Sequence, residues 1–183
     1  LDKVSASSSH LLTLVNDILD ISKVESGRMT LDPCAVSLSE EVEKLSGMVR
    51  PSAAVRGVAF TLRMQDITQG IVVTDPLRLR QVLINLLTNA SKFTEKGTIA
   101  LAFEIQKEQR RILFSVSDTG CGIPRERQER VFNRFEKLNE FKQGTGLGLA
   151  ICKQIVLRFG GNIWIDPEYT EGARFVFSHP IVP

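Results

Sequence analysis

Apolar positions at the start of the chain follow a three-and-four rhythm. Leu1, Val4, Ser8, Leu11, Val15, Ile18 and Ser22 fall on one heptad seam, which predicts an amphipathic helix over residues 1–26. Leu12, Leu14, Leu19 and Ile21 widen the stripe past a two-helix seam, as in a helix drawn from a multi-helix bundle. Gly27 is the expected stop, because a residue without a Cβ closes a helix most readily. Beyond it, residues 28–38 read as short strand-like pieces interrupted by Pro33.

The helical period returns over residues 39–55, with Val42, Leu45, Val49 and Ala53 on one face and Ser39 placed to cap. β-rich runs at 58–63 and 71–74 predict two strands. A third helix starts at Pro76, a favourable first-turn residue, and runs to about Lys92. Its apolar stripe is Leu79, Val82, Leu83, Leu86, Leu87 and Ala90. Residues 99–105 and 112–116 flank the charged stretch 106–111 and predict an antiparallel hairpin. Residues 146–159 predict a last helix stopped by Gly160 and Gly161, and 163–165 and 174–178 two final strands. The mixed order lacks regular strand–helix–strand alternation. It predicts an α+β fold: a two-layer sandwich in which three helices cover a mixed sheet of five or more strands, with a bundle helix at the N-terminus. Residues 1–27 and 28–183 are the expected units.

Composition narrows the partners. With 23 Lys and Arg against 21 Asp and Glu, the net charge of +2 gives no broad basic surface for nucleic acid or an anionic membrane. Any anion site is local. The longest apolar run, residues 99–103, falls far short of the ~20 residues of a membrane span. Cys34, Cys121 and Cys152 are odd in number and lack metal-ligand spacing, so a reducing cytoplasmic compartment is expected and neither disulfides nor zinc. No charged-then-apolar leader follows Leu1, and an excised piece of a longer chain is expected.

Three segments carry candidate chemistry. Asn85, Asn89 and Lys92, at i, i+4 and i+7, share a helix face other than that of the apolar stripe. A solvated face would explain them, but Asn is a poor helix former, whereas an Asn carbonyl can ligate Mg²⁺ and a Lys can meet phosphate. Asp118-Thr119-Gly120-Cys121-Gly122 follows a predicted strand. Its glycines permit a tight bend or close approach of a flat ligand, and a carboxylate can accept from an exocyclic amine. Gly144-Thr145-Gly146-Leu147-Gly148 opens the last helix, where free N–H groups can cradle phosphate. A lid hinge is equally compatible. The spacing fits neither GxGxxG nor a P-loop.

In this order the three segments resemble the N box (residues 81–94), first glycine box (118–122) and second glycine box (144–148) of sensor histidine kinases, members of the GHKL ATPase superfamily with the Bergerat fold. Phe132-Asn133-Arg134-Phe135 is similar to the F box, and residues 10–27 look like the second helix of the dimerisation and phosphoacceptor hairpin of hybrid kinases. The resemblance implies a histidine protein kinase that uses ATP and Mg²⁺. Asn89 would hold Mg²⁺, Asn85 and Lys92 would contact metal-bound water or phosphate, and Asp118 would read the adenine amine. Gly120 and Gly122 would let the backbone close on the base. Gly144, Thr145, Gly146, Leu147 and Gly148 would form the phosphate cradle. Residues 133–145 would be a lid anchored by Phe132 and Phe135, with Lys137 or Lys142 at the γ-phosphate.

The family's acceptor His precedes an acidic residue and Pro-Leu. Neither His10 nor His179 has that context, so the acceptor is expected before Leu1 and self-phosphorylation is not. The resemblance further implies a homodimer through the helical hairpin and a response-regulator receiver domain as partner. It also implies the cytoplasmic portion of a membrane-anchored bacterial sensor. A nucleotide-binding scaffold and an ATPase clamp are the alternatives. Against the clamp, such proteins carry a Glu four residues before the metal-binding Asn, where this chain has Asn85, an amide that cannot act as a base.

Overall fold

A computed structural model describes residues 2–65, 71–137 and 145–181, with backbone alone at 2–10, 13 and 65. Helix α1 (Asp2–Glu25) ends one residue short of expectation, and Gly27 turns the chain at φ +68°. Strand β1 (Cys34–Ser37) runs straight into α2 (Leu38–Val55). The cap of α2 is therefore Ser37, not Ser39; the two hydroxyls lie 3.1 Å apart and neither side chain caps the helix. Strands β2 (Val58–Gln65) and β3 (Ile71–Thr74) lead to α3 (Pro76–Phe93). Asp75 caps α3 by accepting from the Arg78 N–H at 3.0 Å, and its other oxygen accepts from the Asp32 N–H at 3.0 Å. One buried carboxylate thus starts the helix and ties it to the segment before β1.

The hairpin forms as β4 (Gly97–Gln106) and β5 (Arg111–Asp118), followed by two 3₁₀ turns, Arg125–Arg127 and Arg130–Phe132. Helix α4 (Gly148–Arg158) begins two residues later than the periodicity predicts. Gly146 cannot be its first residue because it sits at φ +74°. Strands β6 (Ile163–Ile165) and β7 (Arg174–Pro180) complete the fold. The main sheet has the order β2-β4-β5-β7-β6, parallel only at β2–β4, and α2, α3 and α4 pack on it. The expected mixed five-stranded sheet under three helices is present, but β1 and β3 lie outside it as a separate antiparallel pair.

The core lies between sheet and helices. All six predicted stripe residues of α3 are buried. Phe103, Phe114 and Phe177 are cross-strand neighbours, with Phe114 and Phe177 stacked at 4.7 Å. Such an aromatic ladder fixes register as well as burying area. Glu41 links two of the helices: it accepts from Arg80 at 2.6 Å and Lys44 at 3.0 Å. The Arg80 hydrogen bond holds its carboxyl below the ordinary range despite partial burial.

Against this body α1 packs Ile21 and Val24, while Leu11, Leu12, Val15, Ile18 and Leu19 stay exposed. Among the described residues no helix is long and apolar enough to cross a membrane.

Candidate nucleotide site

Burying one stripe of α3 leaves a second face flanking it. Asn85, Asn89 and Lys92 are all half-buried there. The Asn85 amide donates to the Gly148 carbonyl at 3.3 Å, so the first turn of α4 is tied to the middle of α3. Beneath that contact Cys152 is fully buried, its Sγ 3.7 Å from the Val82 carbonyl. Burial pushes its thiol up to about 12, which removes it as a nucleophile.

Asp118 ends β5 inside the molecule, only 4% exposed. Its Oδ1 accepts from the Gly120 N–H at 2.9 Å and the Ala173 N–H at 3.4 Å. Burial raises its carboxyl above the ordinary range, and those two donors oppose the shift. Both donors converge on Oδ1, and among the described residues none is paired with Oδ2. That arrangement suits an external amine donor.

Of the two expected reasons for Gly120, the tight bend is seen in the backbone. A Cβ there would lie 2.3 Å from the Phe93 carbonyl oxygen, so the glycine lets the turn pack on the end of α3. Gly122, at φ +69°, faces Gly172. The chain's own backbone thus requires both glycines. The close approach holds the turn that follows Asp118 against Phe93, the last residue of α3.

The second glycine segment is described from Thr145 onward; Gly144 and Lys142 lie outside the described residues. The Thr145 hydroxyl donates to Asp17 Oδ2 of α1 at 3.0 Å and accepts from the Leu147 N–H at 3.1 Å. One N–H expected to be open for phosphate is thus taken up locally, and Leu147 itself is buried. Burial, ahead of the neighbouring Asp20, raises the Asp17 carboxyl, and the Thr145 hydrogen bond partly offsets it. At the start of the segment expected to be a lid, Phe132 is buried edge-on against Phe175 at 6.1 Å. Phe135 departs from the expected anchoring: its ring is 70% exposed at φ +60°, and its N–H donates to the Gly146 carbonyl at 2.9 Å. The backbone pinches the two ends of the segment together, so the ring does not need to be buried. Lys137 is exposed on the described side of it.

The site therefore offers neutral amides, an ammonium and one buried carboxylate. Among the described residues no group of three acidic, His or Cys side chains could hold a metal. That donor set suits Mg²⁺ held jointly by an amide and a ligand's phosphates, and not a metal caged by protein alone.

Residues 74–183 match the family described as histidine kinase-, DNA gyrase B- and HSP90-like ATPase. The chain belongs to this family. Its relatives include the circadian input-output histidine kinase CikA of Synechococcus elongatus, 41% identical over 180 residues, covering 95% of this chain and 24% of CikA. BarA of Escherichia coli, a signal transduction histidine-protein kinase, is 33% identical over 184 residues, covering 97% of this chain and 20% of BarA. This family member thus spans about a quarter of the length of those relatives. Among solved structures, full-length ShkA in complex with AMPPNP superposes with TM-score 0.88 at 31% identity, covering 97% of this chain and 37% of that one. The catalytic domain of histidine kinase ThkA gives 0.73 at 30% identity, covering 82% and 96%.

Sequence reasoning missed three partners of the site: Asp17, Tyr169 and Gly172. Asp17 lies within a helix assigned to a bundle. A Cβ at Gly172 would lie 2.1 Å from the Asp118 carbonyl oxygen. A glycine just before a predicted strand signalled a close approach, without saying to what.

Proposed function

We propose that this chain is the ATP-binding catalytic unit of a sensor histidine kinase and positions Mg-ATP for transfer of its γ-phosphate to a histidine nitrogen. In that step the bond from the β,γ-bridging oxygen to γ-phosphorus breaks, a nitrogen–phosphorus bond forms, and ADP leaves. The observation that carries the proposal is the meeting of the Asn85, Asn89 and Lys92 face with the start of α4, through the Asn85–Gly148 bond. Asn89 would hold Mg²⁺, Asn85 and Lys92 would meet phosphate or its metal-bound water, and Asp118 Oδ2 would accept from the adenine amine. Bound Mg²⁺ would neutralise triphosphate charge, and catalysis by this unit would be positioning.

Asn85 separates kinase from ATPase within the family. Its amide already donates to Gly148, and no pKa change could make it a base for activating water. His179 is equally unsuited as the acceptor: it is 4% exposed, with Nε2 3.0 Å from the Thr74 hydroxyl and Nδ1 2.8 Å from the Pro180 carbonyl. Since His10 also lacks the acceptor's sequence context, the acceptor is assigned to a histidine outside this chain. Exposed Leu11, Leu12, Val15, Ile18 and Leu19 on α1 support a bundle interface with a second copy. A response-regulator receiver is the proposed next phosphate acceptor, in keeping with the structure of ThkA in complex with response regulator TrrA, to which this chain is similar at 27% identity and TM-score 0.78.

The test is calorimetric titration with a non-hydrolysable ATP analogue, with and without Mg²⁺. Asp118→Ala is expected to lose at least tenfold in affinity under both conditions, and Asn89→Ala to lose only the Mg²⁺-dependent part, a hydrogen bond to a charged group being worth about 1.5–3 kcal/mol. Acid-labile phosphohistidine on an acceptor hairpin added in trans would then report transfer. Unchanged binding by folded Asn89→Ala protein would overturn the metal assignment.

A further inference from the structure

The connection between β6 and β7, residues 166–173, folds back behind Asp118, although neither glycine box contains any of it. Tyr169, the single tyrosine of the chain, donates its phenol hydrogen to the Asp118 carbonyl oxygen at 3.1 Å. The Arg174 guanidinium covers its ring at 4.2 Å and is held by Asp166 at 3.1 Å. Asp166 also organises the turn, accepting from the Glu168 N–H at 3.0 Å and the Tyr169 N–H at 3.4 Å. On the other side of the same residue, the Asp118 N–H donates to the Ala173 carbonyl at 2.9 Å, and the Ala173 N–H reaches Oδ1. Gly172 lies so close to the Asp118 carbonyl and the Gly120 nitrogen that no other residue fits. Asp118 is thus gripped on its N–H, its C=O and one carboxylate oxygen by a single loop.

We propose that Tyr169 is a positioning residue for adenine recognition, acting through the Asp118 backbone to aim Oδ2 at the exocyclic amine. The inference rests on the reading of Asp118 given above. The geometry favours it over simple packing, because the phenol oxygen is engaged at the end of β5 alone, donating to the Asp118 carbonyl and meeting the side chain of the adjacent Ser117. Burial holds the phenol above its ordinary range, so it stays a donor at neutral pH. A carboxylate whose main chain can rotate loses selectivity for the amine before it loses all binding, since the rest of the nucleotide is held elsewhere.

The experiment compares wild type and Tyr169→Phe in Mg²⁺-dependent binding of ATP and of purine riboside triphosphate, which lacks only the 6-amino group. Trp164 fluorescence reports folding. Wild type is expected to prefer ATP by at least ~10-fold, the equivalent of one hydrogen bond to a charged group. Tyr169→Phe is expected to cut that preference to about threefold or less, weakening ATP while leaving the amine-free nucleotide within about twofold. Equal losses for both nucleotides, or an unchanged preference, would overturn the positioning role while leaving Asp118 as the reader. No preference in wild type would remove Asp118 as the reader, and Tyr169 with it.

Discussion

Gly120 shows how one position can be read correctly for an incomplete reason. A glycine after a strand-end Asp suggests close approach, but the approaching group is the Phe93 carbonyl, which a Cβ would meet at 2.3 Å. Gly120→Ala is therefore expected to destabilise the chain by about 1–3 kcal/mol, the usual cost of overpacking. By shifting Asp118, whose Oδ1 accepts the Gly120 N–H, it should also weaken nucleotide binding more than tenfold. Thermal melting and titration check the two effects separately. Intact affinity in the alanine variant would mean that Asp118 does not depend on this turn. Asn85, Asn89 and Lys92 were legible because helical periodicity alone puts them on one face. Tyr169 was not, because its partner is 51 residues away and nothing local marks it.

At the scale of elements, α1 docks on the rest of the chain through polar residues. Asp20 accepts from Arg78 at 3.1 Å and from Gln81 at 2.7 Å, both on the first turns of α3. Asp17 meets Thr145 in the second glycine segment, and Glu25 pairs with Arg134. The polar face of α1 therefore touches two of the three chemical segments, while its apolar seam points away. Heptad spacing predicted the seam but not which polar residues dock. Asp20 and Arg78 are each 15% exposed as side chains, so their contact is shielded from water. Asp20→Ala is expected to cost about 1–3 kcal/mol, because it strips a charged partner from both Arg78 and Gln81. The loss should be local: hydrogen exchange should accelerate in the second half of α1 and stay unchanged in β4 and β5. Unaltered exchange along α1 would mean that Ile21 and Val24 hold the helix without help.

At the scale of the whole molecule, His179 joins the two sheets. It belongs to β7 of the main sheet, and its Nε2 bonds the Thr74 hydroxyl at the end of β3. Burial lowers its pKa below 6.5, with the Pro180 carbonyl opposing. The folded chain therefore keeps this ring neutral where the unfolded chain would protonate it. Stability from this group is full above pH 6.5 and falls as pH drops through the window below it. A single such proton can contribute a slope of at most about 1.4 kcal/mol per pH unit. Asp17 and Asp118 act oppositely, since their raised carboxyls disfavour the charged form and that cost is relieved on acidification toward 3.8. Denaturant titrations between pH 7 and 5 should show wild type losing stability, with a flatter profile for His179→Gln. Parallel profiles would show that the imidazole does not carry the dependence.

What the sequence determined by itself was whatever short-range periodicity and local chemistry dictate. It specified the buried stripe of α3, the strands of the hairpin, the order of the three chemical segments and the amide at position 85 that argues against hydrolysis. What tertiary structure decided was every pairing across long sequence separation. It set β1 and β3 apart as their own sheet, closed the second glycine segment on Asp17, tied the Phe135 backbone to Gly146 and placed Tyr169 behind Asp118. The physical reason is that a period of 3.6 or 2 residues fixes which face of an element is apolar, but not which polar group from a distant element will satisfy the donors and acceptors left on the other face.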